Sequence, residues 1–225
     1  LAQKPQQFTS GIAPEKVGMS TERLNRIEQL LNRKIAEKRI PGAVVLAARH
    51  GQLVLHKAYG MNDIETKKAQ KTDDIFRIMS MTKAATSVAV MMLYEEGLFS
   101  LDDPISKYIP AFKNGQIVDQ INPQDSTYTS HPAKKEITIR HLLSHTAGIP
   151  YQNALYGKAK IPYYFSTQNE TIAETMNRLG ALPKFHEPGE KFTYGLNTDV
   201  LGYFVEVISG MPFDQFLKKK IFEPL

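Results

Sequence analysis

The chain has 225 residues, 42% of them apolar and 23% charged, a balance that suits a globular protein large enough to bury a core. Its formal charge is +5 with a pI near 9.2, but the lysines form only short runs at 67–68, 134–135 and 218–220 with no interleaved aromatics. That pattern reads as a solvated face and argues against nucleic-acid binding. The absence of cysteine excludes disulfides, thiolate metal sites and a cysteine nucleophile, and no apolar run approaches the ~18 residues of a membrane span.

The opening, "LAQKPQQFTS", is polar, and no repeat or low-complexity block follows. "STERLNRIEQLLNRKIAEKRIPG" predicts a helix with Ser20 as N-cap, an apolar face of Leu24, Ile27, Leu31 and Ile35, and a stop at Pro41–Gly42. "AVVLAARHGQLVLHKAYG" predicts a hairpin turning at His50–Gly51. Its first run does not alternate, which places that strand inside a sheet rather than at an edge.

"IFRIMSMTKAATSVAVMMLYEEG", residues 75–97, predicts a strongly apolar helix opened by Ser80 and capped near Gly97. After the turns of "LFSLDDPISKYIP", residues 113–135 read as a polar loop. "ITIRHLLSHTAGIP" predicts a short helix entered at Thr138 and stopped by Gly148 and Pro150. Residues 151–183 read as mixed loop and helix. "HEPGEKFTYG" is a turn that delivers Tyr194 to the helical run "TDVLGYFVEVISG", and "PFDQFLKKKIFEPL" is an amphipathic helix.

The predicted class is α/β in the α+β sense: a helix and hairpin over 1–75 and a helical region over 76–225. One hairpin is too little sheet to be stable by itself. The expectation is therefore that further strands lie beyond Leu225 or come from another polypeptide.

The candidate chemistry begins at "SMTK". Residues three apart on a helix are neighbours, so Lys83 lies within reach of the Ser80 hydroxyl. A cation in the first helical turn sits at the wrong end of the helix dipole. It is either a surface residue or an amine whose pKa falls from about 10.4 toward neutrality, where it can accept a proton. Backbone N–H groups at the helix start add donors for a developing oxyanion. Tyr194 is the second candidate: near a lysine its phenol is drawn toward phenolate and can act as general base.

Together these segments resemble the serine β-lactamase and penicillin-binding-protein superfamily, in particular its class C-like branch, which includes carboxylesterases and D-amino-acid peptidases. The resemblance runs through "PGAVVLAARHGQLVLHKAYG", "SMTK", "GLFSLDDPISKYIP", "ITIRHLLSHTAGIP" and "PGEKFTYGLNTDVLGYFVEVISGMPFDQFLKKKIFEPL". It implies a β-lactamase/transpeptidase-like fold in which an antiparallel sheet is flanked by helices. It also implies acyl transfer on a small-molecule β-lactam, ester or D-amino-acid peptide, without a cofactor or metal, in the periplasm or outside the cell.

Under the resemblance Ser80 is the acylated nucleophile, Lys83 the neighbouring amine and Tyr194 the tyrosine of the Y-x-N element. In "YGLN", Leu196 stands where the family carries asparagine, and Asn197 one place later is the candidate substrate-binding residue. That departure points toward the esterase-like members. The family's third element, a lysine or histidine followed by a small hydroxyl residue and glycine on a late strand, has no counterpart here. The corresponding expectation is that the lone chain does not turn over substrate without a complementary C-terminal segment or chain.

Three rival readings stay open on residues alone. A Ser-His-Asp hydrolase lacks its G-x-S-x-G turn. His141 and His145 have the i,i+4 spacing of a zinc pair, but "LLS" between them lacks the glutamate of a zinc hydrolase, and packing or capping explains both. A penicillin-binding-like protein that keeps Ser80 without turnover is the non-enzyme alternative.

Overall fold

The computed structural model describes residues 8–162 and 169–225. The polar opening up to residue 7 and part of the 151–183 stretch lie outside them. The described residues form two compact units that divide between Ile78 and Met79.

In the first unit, helix α1 (Thr21–Ala36) is N-capped as its sequence predicts, the Ser20 hydroxyl accepting the Arg23 N–H at 3.2 Å. Leu24, Ile27, Leu31 and Ile35 form its half-buried face. The helix ends before Pro41, and Lys38 turns the chain in the left-handed region at φ 55°. Strands β1 (Gly42–Arg49) and β2 (Gln52–Asp63) pair antiparallel, Gly42 opposite Gly60 and Arg49 opposite Gln52, with a bulge between Ala47 and Ala48. His50 and Gly51 both take positive φ, which matches the twist that a two-residue hairpin needs. Strand β3 (Lys68–Ala69) joins the far end of β2, giving the order β1-β2-β3.

Among the described residues β1 is an edge strand, hydrogen bonded to β2 alone, and its residues 42–45 are only half buried. The unbroken apolar run marks a strand whose two faces are alike; it does not specify what lies along the second edge.

The second unit opens with a 3-10 turn, Met79–Met81, that runs into helix α2 (Thr82–Glu95). Gly97, at φ 73°, takes the left-handed position just past the helix end. A second antiparallel hairpin follows, β4 (Gln116–Ile121) and β5 (Tyr128–Pro132), where the sequence reads as a polar loop. Ile117 is buried beneath it. Its turn is tied by Asn122 and Asp125, whose side chains accept the N–H groups of Gln124 and Thr127. Two strands of five or six residues around a turn of Asn, Pro, Gln, Asp and Ser carry too few apolar positions to stand out from loop.

Helices α3 (Ile139–Leu143), α4 (Ala154–Lys158), α5 (Ile172–Ala181), α6 (Asn197–Ser209) and α7 (Phe213–Leu217) complete the unit, and α7 passes into a π-helical turn over Lys218–Phe222. Thr138 caps α3 and Thr171 caps α5, each in a reciprocal capping box. The core sits where α2 meets α6: Ala89, Val90 and Leu93 on one side, Val200, Leu201, Phe204 and Val205 on the other. Phe204 is met edge-on by Phe99 at 4.9 Å and Tyr108 at 5.2 Å. The buried valines, leucines and phenylalanines among them each contribute roughly 1.5–3 kcal/mol of transfer free energy, and together they fix the axis of α2.

One buried charge stands out. Lys184 is 2% exposed, and its Nζ donates to the carbonyls of Leu179 at 3.2 Å, Gly180 at 3.1 Å and Leu182. It thereby closes the C-terminal end of α5, while its backbone pairs with β4 through Gln116 and Val118. Burial pushes its pKa down to about 7.

Candidate active site

The local chain explains where Ser80 sits. Met79 adopts φ 48°, a left-handed conformation that costs a non-glycine residue about 1–2 kcal/mol. The kink sets Ser80 in the middle of the 3-10 turn, exposed, with α2 starting two residues later. Ser80 therefore precedes the regular helix rather than capping it. Lys83 lies in the first turn of α2, half buried.

Tyr194 reaches the same place from a different part of the chain. It stands three residues before α6 with its side chain 43% exposed, on a backbone held from behind. Thr193 donates its N–H to the His145 carbonyl at 2.7 Å and meets the buried His186 ring through its hydroxyl at 2.7 Å. Gly195 is obligatory, since a Cβ there would lie 2.0 Å from the Ile149 carbonyl oxygen.

These elements bring three predicted residues together. The Ser80 hydroxyl and the Lys83 amine both act on the Tyr194 phenol and lower its pKa. The Lys83 Nζ lies 5.1 Å from the centre of the Tyr194 ring. A fourth member, Tyr151, has no motif in the sequence. Its hydroxyl meets Lys83 Nζ at 2.8 Å, and its ring stands edge-on to Tyr194 at 5.4 Å. The signal for it was thin: an aromatic just after the Gly148 and Pro150 stop that ends α3, where the chain must double back.

The electrostatics correct the reading of Lys83. Burial works against its charge, but hydrogen bonds to Tyr151 and Tyr194 and the charge on those oxygens outweigh it, and its pKa lies above the ordinary lysine value. The amine is an ammonium. Helix dipole and partial burial are too weak to strip it when two phenols stand within reach. The proton-accepting character moves to Tyr194, whose pKa is lowered. The Ser80 hydroxyl is the largest cause, and Tyr151 and Lys83 reinforce it against partial desolvation.

Asn197 is the second correction. It is fully buried, at 0% exposure, and its Nδ2 is directed at His145 Nδ1 (3.0 Å) and at the carbonyls of Ile149 (3.2 Å) and Thr193 (3.3 Å). A side chain so enclosed holds the Tyr194 turn and offers nothing to a substrate. Of the two histidines at zinc spacing, His141 accepts the Thr138 N–H in the capping box at 3.1 Å, and His145 packs its ring 4.8 Å from that of Tyr194. Among the described residues no group of three His, Cys, Asp or Glu side chains is placed to hold a metal ion, and no helix is long and apolar enough to cross a membrane.

The chain is similar to known proteins over nearly all its length. The family model described as Beta-lactamase matches residues 27–225. Esterase EstB from Burkholderia gladioli is 29% identical over 205 residues, which cover 89% of this chain and 49% of that protein. Among solved structures, EstCE1, a hydrolase with promiscuous acyltransferase activity, superposes with a TM-score of 0.76 at 32% identity over 89% of this chain and 51% of its own. The octameric penicillin-binding protein homologue from Pyrococcus abyssi gives 0.68 at 29% identity over 89% of this chain and 42% of that one. The chain thus spans about half the length of the relatives it matches. Its mixed helix and antiparallel-sheet architecture is that of β-lactamase and transpeptidase folds, and the chain belongs to the beta-lactamase family, a hydrolase family in which its relatives include esterases.

Proposed function

We propose that the protein is a serine hydrolase that works through an acyl-enzyme at Ser80, with esters as its preferred carbonyl substrates ahead of β-lactams and peptides. The observation that carries this reading is the convergence of Lys83 on two phenols next to Ser80: its Nζ meets the Tyr151 hydroxyl at 2.8 Å and lies 5.1 Å from the centre of the Tyr194 ring, whose pKa Ser80 and Lys83 lower. A nucleophile, a base and a fixed cation are then within one hydrogen-bonded group.

The Tyr194 phenolate takes the Ser80 hydroxyl proton as Oγ attacks the ester carbonyl. Backbone N–H groups at the mouth of α2 receive the oxyanion, Ser80 N–H among them. The tetrahedral adduct collapses, the C–O bond to the alcohol breaks, and the Tyr194 hydroxyl returns its proton to the leaving alkoxide. Water, deprotonated by the same phenolate, then attacks the acyl carbon, the bond from that carbon to Ser80 Oγ breaks, and Tyr194 returns the proton to Oγ as the acid leaves. Lys83 keeps its proton throughout and stabilises the phenolate.

The preference for esters rests on two points: relatives named as an esterase and as a hydrolase with acyltransferase activity, and the burial of Asn197, which leaves no amide side chain at the Y-x-N position to grip a lactam's carboxamide. The test uses the protein at its full encoded length with p-nitrophenyl esters and a chromogenic cephalosporin, followed by mass spectrometry of the quenched enzyme. A burst with the acyl group on Ser80 and faster ester turnover supports the reading. Labelling that survives in Ser80→Ala ends it, and faster cephalosporin turnover reverses the substrate order. An adduct that forms and never hydrolyses would instead mark a penicillin-binding-like protein.

A further inference from the structure

The imidazole of His145 belongs to no motif of the reaction, yet it is the hub of the turn that carries Tyr194. Two donors converge on its Nδ1: the Gly195 N–H at 3.4 Å and the Asn197 amide nitrogen at 3.0 Å. A ring nitrogen that receives two N–H groups must present its lone pair, so the ring proton resides on Nε2, which faces the Thr198 hydroxyl at 3.5 Å. The His145 carbonyl accepts the Thr193 N–H, and its ring lies against the Tyr194 ring at an interplanar angle of 34°. One residue therefore contacts positions 193, 194, 195, 197 and 198.

Asn197 makes this arrangement one-way. Exchanging its amide ends would direct Oδ1 at the carbonyl oxygens of Ile149 and Thr193, which now receive Nδ2. The amide orientation is thus set from behind, and it dictates the tautomer of His145 in front.

We propose that His145, held as its Nε2–H tautomer by Asn197, is the positioning residue that aims the Tyr194 phenol at Ser80. The proposal rests on the reading of Tyr194 as the base. A second proton on Nδ1 would confront two N–H donors. The groups that face the ring add to the penalty: the Lys83 ammonium repels the charge, and the Tyr194 ring covers one side. Burial first, and then the Lys83 charge, hold the His145 pKa below the ordinary histidine value.

The backbone supplies the variants that test it. His145 sits at φ 54°, where asparagine is tolerated and leucine is not, and an asparagine Oδ1 can occupy the acceptor position of Nδ1. Imidazole nitrogen shifts and the Tyr194 phenol titration are read by NMR on the isotope-labelled protein, beside the rate of Ser80 acylation. The wild type should show the Nε2–H tautomer with no titration in the usual histidine range. His145→Leu should raise the Tyr194 midpoint toward the ordinary value near 10 and slow acylation about 100-fold with KM unchanged. His145→Asn should restore both to within about tenfold of wild type. A Nδ1–H tautomer, ordinary titration, or a Tyr194 midpoint unmoved in His145→Leu overturns the proposal. Should His145→Leu fail to fold, the wild-type tautomer and the His145→Asn rescue still decide. A wild type that is never acylated defeats the proposed reaction, while the tautomer and the Tyr194 titration continue to judge the positioning role.

Discussion

The two sides of the site are built by opposite means. Ser80 and Lys83 are placed by local backbone: a left-handed Met79, one 3-10 turn and the first turn of α2. Around them Met79 and Met81 are exposed, and the buried Thr86 hydroxyl bonds back to the Thr82 carbonyl within the same helix. The turn that carries Tyr194 is placed by buried hydrogen bonds of His145, 49 positions before it, His186, eight before it, and Asn197, three after it, which itself reaches back to His145. The lesson is a division of labour. In the proposed reaction the nucleophile needs exposure and a fixed local angle, which a strained turn provides. The base needs its oxygen held against another segment's hydroxyl, which only tertiary bonding provides.

The largest effect that tests this division is Ser80→Ala, which should abolish covalent acylation, seen as loss of the acyl mass on the intact protein. Next, Tyr194→Phe keeps the ring and its packing but removes the oxygen, and should lower the acylation rate by roughly 10³-fold. Retention of more than a tenth of the rate would assign the base to another group.

The pH profile sharpens the same point. With Tyr194 as the base, its active form is the phenolate, so the acylation rate rises with pH through a midpoint below the usual tyrosine value near 10. The Lys83 ammonium, raised above its usual pKa, fails only beyond that. Tyr151→Phe removes one acceptor from Lys83 and one donor from Tyr194. It should shift the midpoint upward and slow acylation at neutral pH by about tenfold, read from the same profile.

Stability supplies a smaller contrast. Lys184→Met removes the side-chain donor from the carbonyls of Gly180 and Leu182, while Leu179 keeps the Leu182 N–H, and should cost about 1–3 kcal/mol by urea unfolding. The pH dependence has a definite sign. Folded, Lys184 gives up its proton at about 7; unfolded, a lysine keeps it to about 10.4. The unfolded chain then binds more protons between those values, so this group's contribution to stability rises with pH across that window, and Lys184→Met removes the rise. Smallest of all, Met79→Gly relieves the left-handed strain but adds backbone entropy to the unfolded chain, two effects of about 1 kcal/mol each. Stability should change little, and acylation should fall only as far as the turn loosens.

The same division explains what was legible in the amino-acid order. Ser80 and Lys83 could be found because their geometry is carried by three residues of spacing, and Tyr194 because it closes a turn before an apolar helix. The caps at Ser20 and Thr138 and the turn at His50–Gly51 were equally readable, being local. The charge state of Lys83 was not, since it depends on Tyr151, sixty-eight positions away, and no pattern announces that residue. Asn197 was misread for a related reason: position beside a motif tyrosine says nothing about which way the side chain turns, and the start of α6 turns it inward. The β4–β5 hairpin was hidden by its polar turn.

The central claim is that Tyr194, rather than Lys83, exchanges the proton of Ser80. Selective NMR titration of the Tyr194 phenol and the Lys83 amine in one sample tests it most directly. The account predicts that the phenol loses its proton below the ordinary tyrosine value while the amine remains an ammonium through that transition. An amine that titrates first, at or near neutrality, would contradict it.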